Sequence, residues 1–247
     1  MHSTGYILRF VLIMTTVVAL VLALMSTALK PIHESNEAIY NKRAIISAIG
    51  NKLDKTVAEM SDEEVENIFK ENITQKVIDV EGNFLSEEEV MDRGYKAGKA
   101  ENVDMAKERK KDEADRIYPI YEYENGDENY AIISVRGSGL WDAIWGNIAI
   151  DEDMNTIVGA SFDHQGETPG LGAEIKDNPK YALNFISKKI FDENGGYVSI
   201  TSRKGGAVDP DHDVDGITGA TVTADGVTKM MKKGVKRYLP YLKSNEK

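Results

Sequence analysis

The stretch Phe10–Leu29, FVLIMTTVVALVLALMSTAL, carries no ionisable side chain. Its 20 residues span roughly 30 Å as a helix, the thickness of a bilayer's hydrocarbon core. Three readings compete: a retained single-pass anchor, a signal peptide cleaved near Ser26 and Ala28, and a buried core helix. The run exceeds the ~7–15 apolar residues of a signal core, so a retained anchor through residues 10–29 is expected. Charge does not fix its orientation. Arg9 precedes the span, and Lys30, Lys42 and Arg43 follow it, mixed with Glu34 and Glu37.

Two compositional facts narrow the function. A net charge of −11 argues against nucleic acid as a partner and against a wide footprint on anionic lipid. The absence of cysteine removes disulfides, thiol catalysis, lipidation and iron–sulfur ligation together. Electron transfer through this chain would need another cofactor.

After the apolar run, residues 32–57 predict a helix with Ile39, Ile45, Ile46 and Ile49 on one face and a break at Gly50. Ser61 and Glu64 form a capping box that opens a helix to about Asn72; Ser86 and Glu89 form a second. Between them Lys76–Val80 predicts a strand. Residues 87–116 are dense in charge and predict a solvated helical excursion. From Tyr118 the texture becomes that of a sheet. Strands are expected at Ile120–Tyr123 and Tyr130–Val135 around the turn Glu124–Asp127, then at Ile144–Ile150, Thr156–Asp163 and Tyr197–Ser202. Helices are expected at Pro179–Phe191 and Ala224–Leu239. The expected fold is α+β: an antiparallel sheet with packed helices, preceded by one transmembrane helix. Its divisions are an anchor (1–30), a membrane-proximal helical and charged region (31–117) and the α+β domain (118–247).

Four stretches could carry chemistry. Asp215-Gly-Ile-Thr-Gly-Ala-Thr-Val-Thr223 places Thr218, Thr221 and Thr223 around Gly219 and Ala220, at the start of the last helix. Thr223 suits the N-cap, and a helix N-terminus attracts phosphate; an ordinary capped turn has the same residues. The loop His164–Gly172 offers Glu167, Thr168, Gly170 and Leu171. It suits close approach to a flat ligand, or is a surface loop. Leu140 and Trp141 follow a glycine-rich turn and could wall a planar ring; Trp145 suits the core. Lys204, before Gly205-Gly206, could pair with a phosphate or lie exposed at a strand end.

Asp215-x-x-Thr-Gly-Ala-Thr-x-Thr223 resembles the flavinylation motif of the FMN-binding domain family. His164–Gly172 resembles that family's Glu-Thr-Pro-Gly-Leu-Gly segment, and Lys204-Gly-Gly206 matches a further element. Within the family the anchor, Asn41-Lys-Arg43 and Gly139-Leu-Trp141 are most similar to the C subunits of the sodium-translocating NADH:quinone reductases. The G subunits of the Rnf electron-transport complexes are the runner-up. The resemblance implies covalent FMN, joined by a flavin transferase through its phosphate to Thr223, with Thr218, Gly219, Ala220 and Thr221 around the phosphate. It implies Glu167, Thr168, Gly170 and Leu171 against the ring, Leu140 and Trp141 opposite, Lys204 nearby, and Asp215 for transferase recognition. It also implies partner subunits in a bacterial inner-membrane redox complex, with the domain on the periplasmic side. No metal site is expected, since the four histidines share no ligand spacing. A free-standing membrane-anchored FMN reductase and a non-redox anchored ectodomain are the other readings the sequence allows.

Overall fold

A computed structural model of the chain describes residues 3–126 and 128–245. Asp127, expected at the tip of the first hairpin, lies outside them. Helix α1 runs without interruption over Thr4–Ser47, includes Pro31, and is long and apolar enough to cross a membrane. The chain divides into two compact units, Met1–Tyr40 and Asn41–Lys247.

The second unit is built on five antiparallel strands in sequence order: β1 (Ile73–Ile78), β2 (Tyr118–Asn125), β3 (Glu128–Ser138), β4 (Ala143–Ile150) and β5 (Ile157–His164). Both faces of this sheet are covered, so its central strands are apolar on successive residues. Ile120 and Ile133 point into one core and Tyr121 and Ile132 into the other, as period-two geometry requires. The first core is closed by helix α7 (Thr221–Lys236) and helix α8 (Leu239–Ser244) through Val227, Met230, Met231, Val235, Tyr238 and Tyr241. The second is closed by the end of α1 (Ile45, Ile46) and Ile49 just beyond it, by α2 (Asp62–Asn72) through Val65 and Phe69, and by Val90, Tyr95 and Val103. The turn after α1 sits so close to β5 that a β-carbon on Gly159 would lie 2.1 Å from the Ala48 carbonyl oxygen.

Several expectations hold in detail. Both capping boxes form, at Ser61 with Glu64 and at Ser86 with Glu89. The first hairpin forms, but one residue further on than expected, with Glu124 and Asn125 in β2 and Asn125 paired with Glu128. Others need correction. Residues 87–116 are not a solvated helix. They form two short helices, α3 (Glu87–Asp92) and α4 (Met105–Glu108), separated by tight turns. The segment is pinned by Glu108, which is 1% exposed. Its carboxylate accepts from the Tyr95 hydroxyl and, at 2.8 Å, from the Ile117 N–H, and pairs with Lys111 at 2.6 Å.

The helix expected over Pro179–Phe191 stops early. After α5 (Glu174–Asp177), α6 covers only Pro179–Leu183. Ser187 then takes φ 65° and its N–H donates to the Ile157 carbonyl at 2.7 Å, drawing the chain along the edge of β5. The buried side chains of the stretch are accordingly Tyr181, Phe185, Ile190 and Phe191, while Leu183 is exposed. The strand expected at Tyr197–Ser202 is β6 (Thr201–Arg203), which pairs in parallel with β7 (Asp213–Asp215). β1 lies earlier than Lys76–Val80, because Ile73 already pairs with Tyr123.

Candidate functional site around Thr223

The site lies where the β3–β4 turn, the loop after β5 and the first turn of α7 converge. Helix α7 begins at Thr221 with Ala220 as its N-cap and no side chain capping it. Thr223 is therefore not the cap that its hydroxyl suggested but the third helical residue. It is 1% exposed, and its hydroxyl donates to Glu167 Oε2 at 2.6 Å.

Glu167 is the hub. Its other oxygen, Oε1, accepts the Trp141 N–H at 2.9 Å. Its own N–H donates to His164 Nδ1 at 3.2 Å. Burial alone would raise the Glu167 pKa. The Thr223 hydroxyl and the N–H groups of Trp141, Asp142 and Leu140 outweigh burial and hold the carboxyl below its ordinary range. Two glycines make room for this carboxylate. A β-carbon on Gly139 would lie 2.4 Å from Oε1, and one on Gly172 would lie 2.1 Å from Oε2 and 2.6 Å from Thr223 Oγ1. Gly226 lets α7 approach the end of β3, since its β-carbon would meet the Ser138 carbonyl oxygen at 2.5 Å.

Around this buried pair the surface is apolar and open. Leu140, Trp141, Leu171 and Val222 are 52%, 69%, 42% and 53% exposed. The Trp141 indole N–H donates to Thr168 Oγ1 at 3.1 Å, joining the β3–β4 turn to the loop after β5. Leu171 packs close to Gly219, which takes φ 81°, a conformation that strains any side chain. A cavity of about 610 Å³ opens beside Trp141, lined by Arg109, Lys110, Arg136, Ser138, Leu140 and Asp142. Trp145 is half-buried, with the Arg136 guanidinium 5.0 Å from its ring.

The structure thus brings together Thr223, Glu167, Thr168, Leu171, Gly219, Leu140 and Trp141. Gly170 and Thr218 are exposed in the flanking turns, Thr221 is half-buried and Ala220 is buried. Asp215 and Lys204 stand at the margin. The Asp215 carboxylate accepts the Ala207 N–H at 2.7 Å, and the Gly216 N–H donates to the Arg203 carbonyl at 2.8 Å. The exposed Lys204 turn is thereby tied to the threonine motif. Asp213, 1% exposed, pairs with Arg203 at 2.6 Å and accepts the N–H groups of Val208 and Asp209. Sequence reasoning missed Gly139 and Gly172 as the cradle of the carboxylate, and the cationic groove of Arg109, Lys110 and Arg136. The glycines stood within quoted motifs, but Arg109 and Lys110 come from the charged segment, where nothing marks them.

The family described as FMN-binding domain matches residues 139–236. The chain is 34% identical to the C subunit of the Na(+)-translocating NADH-quinone reductase of Pseudomonas aeruginosa, over 94% of this chain and 96% of that protein. It is 31% identical to the corresponding C subunit of Neisseria meningitidis serogroup B, over 94% and 90%. The crystal structure of the C subunit from Parabacteroides distasonis superposes with a TM-score of 0.72 at 31% identity, covering 87% of this chain and 96% of that one.

Proposed function

The chain belongs to the family formed by the C subunits of the Na(+)-translocating NADH-quinone reductases, and from that premise we propose that it carries FMN as a phosphoester on Thr223 and relays electrons between partner subunits in the membrane. The observation that carries this reading is the setting of Thr223. The last threonine of the motif stands in the first turn of a 16-residue helix that no side chain caps. That end presents outward-facing N–H groups and the positive end of the helix dipole to a phosphate.

The residues present fit the group. The exposed rim of Leu140, Trp141 and Leu171 offers apolar surface to a flat ring. Thr168 and Gly170 belong to the same loop as Leu171. Thr218 and Thr221 supply hydroxyl donors for the phosphate oxygens. Lys204, Arg109, Lys110 and Arg136 supply positive charge around an anionic cofactor. Asp215, engaged at the rim of the motif, serves recognition by the flavin transferase. When bound, FMN supplies the redox chemistry; the chain supplies attachment, orientation and electrostatics.

Residues 10–29 anchor the chain in the cytoplasmic membrane, with the FMN-bearing domain on the periplasmic side, where a transferase reaches it. Alone the chain neither oxidises NADH nor translocates sodium. No G-x-G-x-x-G follows a strand, and a single span without an ionisable residue at its centre makes no ion path. Those activities belong to the assembled translocase. The test is co-expression with a flavin transferase followed by a denaturing gel. A fluorescent band for the wild type and a dark one for Thr223→Ala are expected; a dark wild-type band overturns the covalent-FMN reading.

A further inference from the structure

We propose that Glu167 is the proton acceptor for esterification of Thr223, so that the chain brings its own catalytic base to the reaction that modifies it. The proposal rests on the reading that Thr223 is the attachment point. At 2.6 Å the Thr223 hydroxyl donates directly to Glu167 Oε2, within the reach required of a general base. The carboxylate is held in place by its other contacts. Oε1 accepts the Trp141 N–H, the N–H groups of Leu140 and Asp142 add to its hold, and Gly139 and Gly172 close in on both oxygens.

The hydroxyl of Thr223 is engaged differently from that of another threonine in the same helix. A threonine inside a helix can satisfy its hydroxyl on the carbonyl one turn back. Thr228 of the same helix does so, donating to the Ala224 carbonyl at 3.2 Å. Thr223 instead meets a carboxylate that is 5% exposed and that the N–H groups of the β3–β4 turn already hold in place. Orienting a hydroxyl and accepting its proton is what carboxylates do at phosphoryl-transfer centres.

The step balances with one co-reactant, a flavin whose phosphate is held in an anhydride to a nucleotide. The Thr223 O–H bond breaks and its proton passes to Glu167 Oε2. The Oγ1–phosphorus bond forms, and the anhydride bond breaks with its electron pair leaving on the nucleoside monophosphate. Nothing is oxidised or reduced, and Glu167 then releases the proton to solvent. Thr223 is 1% exposed and Gly172 stands against its Oγ1, so entry of the donor requires the loop after β5 to yield.

The test uses the full chain in detergent with purified flavin transferase and flavin adenine dinucleotide as donor. Incorporation is followed by in-gel fluorescence against pH, with circular dichroism as the check on fold. Glu167→Gln, which keeps the shape, should lower the rate by about a hundredfold or more and abolish the fall that the wild type shows on the acid side. A folded Glu167→Gln chain labelled within about threefold of the wild type overturns the proposal. Should that variant not fold, Glu167→Asp decides: the charge remains but stands about 1 Å back, and the rate should drop about tenfold or more, while an unchanged rate overturns the proposal. Thr223→Ala separates the two claims. Labelling that persists there refutes the attachment site itself, whereas a dark Thr223→Ala beside a normal Glu167→Gln refutes only the base.

Discussion

Replacing Gly172 with alanine adds one methyl group at the most crowded point of the site. Its β-carbon would lie 2.1 Å from Glu167 Oε2, 2.6 Å from Thr223 Oγ1 and 3.1 Å from Glu167 Cβ. A methyl group has no rotamer that escapes these contacts, so the carboxylate must shift and Thr223 must lose its acceptor. Overpacking of this kind costs about 1–3 kcal/mol, and losing a hydrogen bond to a charged acceptor about 1.5–3 kcal/mol. The two overlap, because one movement relieves the clash by breaking the bond; the net cost is about 3 kcal/mol. At about 2–4 °C per kcal/mol for a domain of this size, Tm should fall by about 6–12 °C. The assay is thermal unfolding of the full chain in detergent, read by the fluorescence of Trp141 and Trp145. Gly166→Ala in the same loop is the control, since a β-carbon there meets nothing within 4 Å; its Tm should move by less than about 2 °C. Equal shifts for the two variants would refute the claim that Gly172 is small in order to seat the carboxylate.

Three further outcomes are expected. Glu108→Ala strands the Tyr95 hydroxyl, the Ile117 N–H and Lys111 around an empty buried position, which should cost about 3 kcal/mol in a urea titration. Gly226→Ala sets a β-carbon 2.5 Å from the Ser138 carbonyl oxygen, a backbone atom that cannot rotate away. It should cost about 2 kcal/mol and speed hydrogen exchange in the first turns of α7. The third concerns pH. The Thr223 and backbone hydrogen bonds, outweighing burial, hold Glu167 below its ordinary pKa. The unfolded chain therefore binds that proton first, and the stability it contributes at neutral pH is lost as pH falls below about 4.3. Glu167→Gln should make the acid limb of stability against pH shallower without abolishing it, because Asp213 is also held below its ordinary range as Arg203 and the N–H groups of Asp209 and Val208 outweigh its burial; an acid limb of wild-type steepness would contradict the assignment.

Much of the fold was legible because the signals were local. The two capping boxes act within a few residues and formed where expected; the first hairpin and the last helix also formed, though with Asn125 still in β2 opposite Glu128 and with the helix over Thr221–Lys236 instead of Ala224–Leu239. What failed depended on partners distant in sequence. Pro179–Phe191 has helical spacing, yet its second half is claimed by the edge of β5 through Ser187 and Ile157. Residues 87–116 look solvated by charge density, yet Val90, Tyr95 and Val103 are core and Glu108 is a buried pin. The site followed the same division. Thr223, Glu167 and Trp141 could be named from motif spacing. Their meeting could not, because Thr223 and Glu167 are 56 positions apart and the glycines that admit the carboxylate declare their purpose only once the chain has folded.

The central claim is that Thr223 carries the cofactor, and peptide mass spectrometry tests it most directly. Trypsin cutting after Lys204 and Lys229 releases residues 205–229, which contain Thr218, Thr221, Thr223 and Thr228. From a chain co-expressed with a flavin transferase, this peptide should gain the mass of one FMN less one water, and backbone fragmentation should place the added mass on Thr223. An unmodified peptide, or an added mass on Thr218, Thr221 or Thr228, would contradict the account.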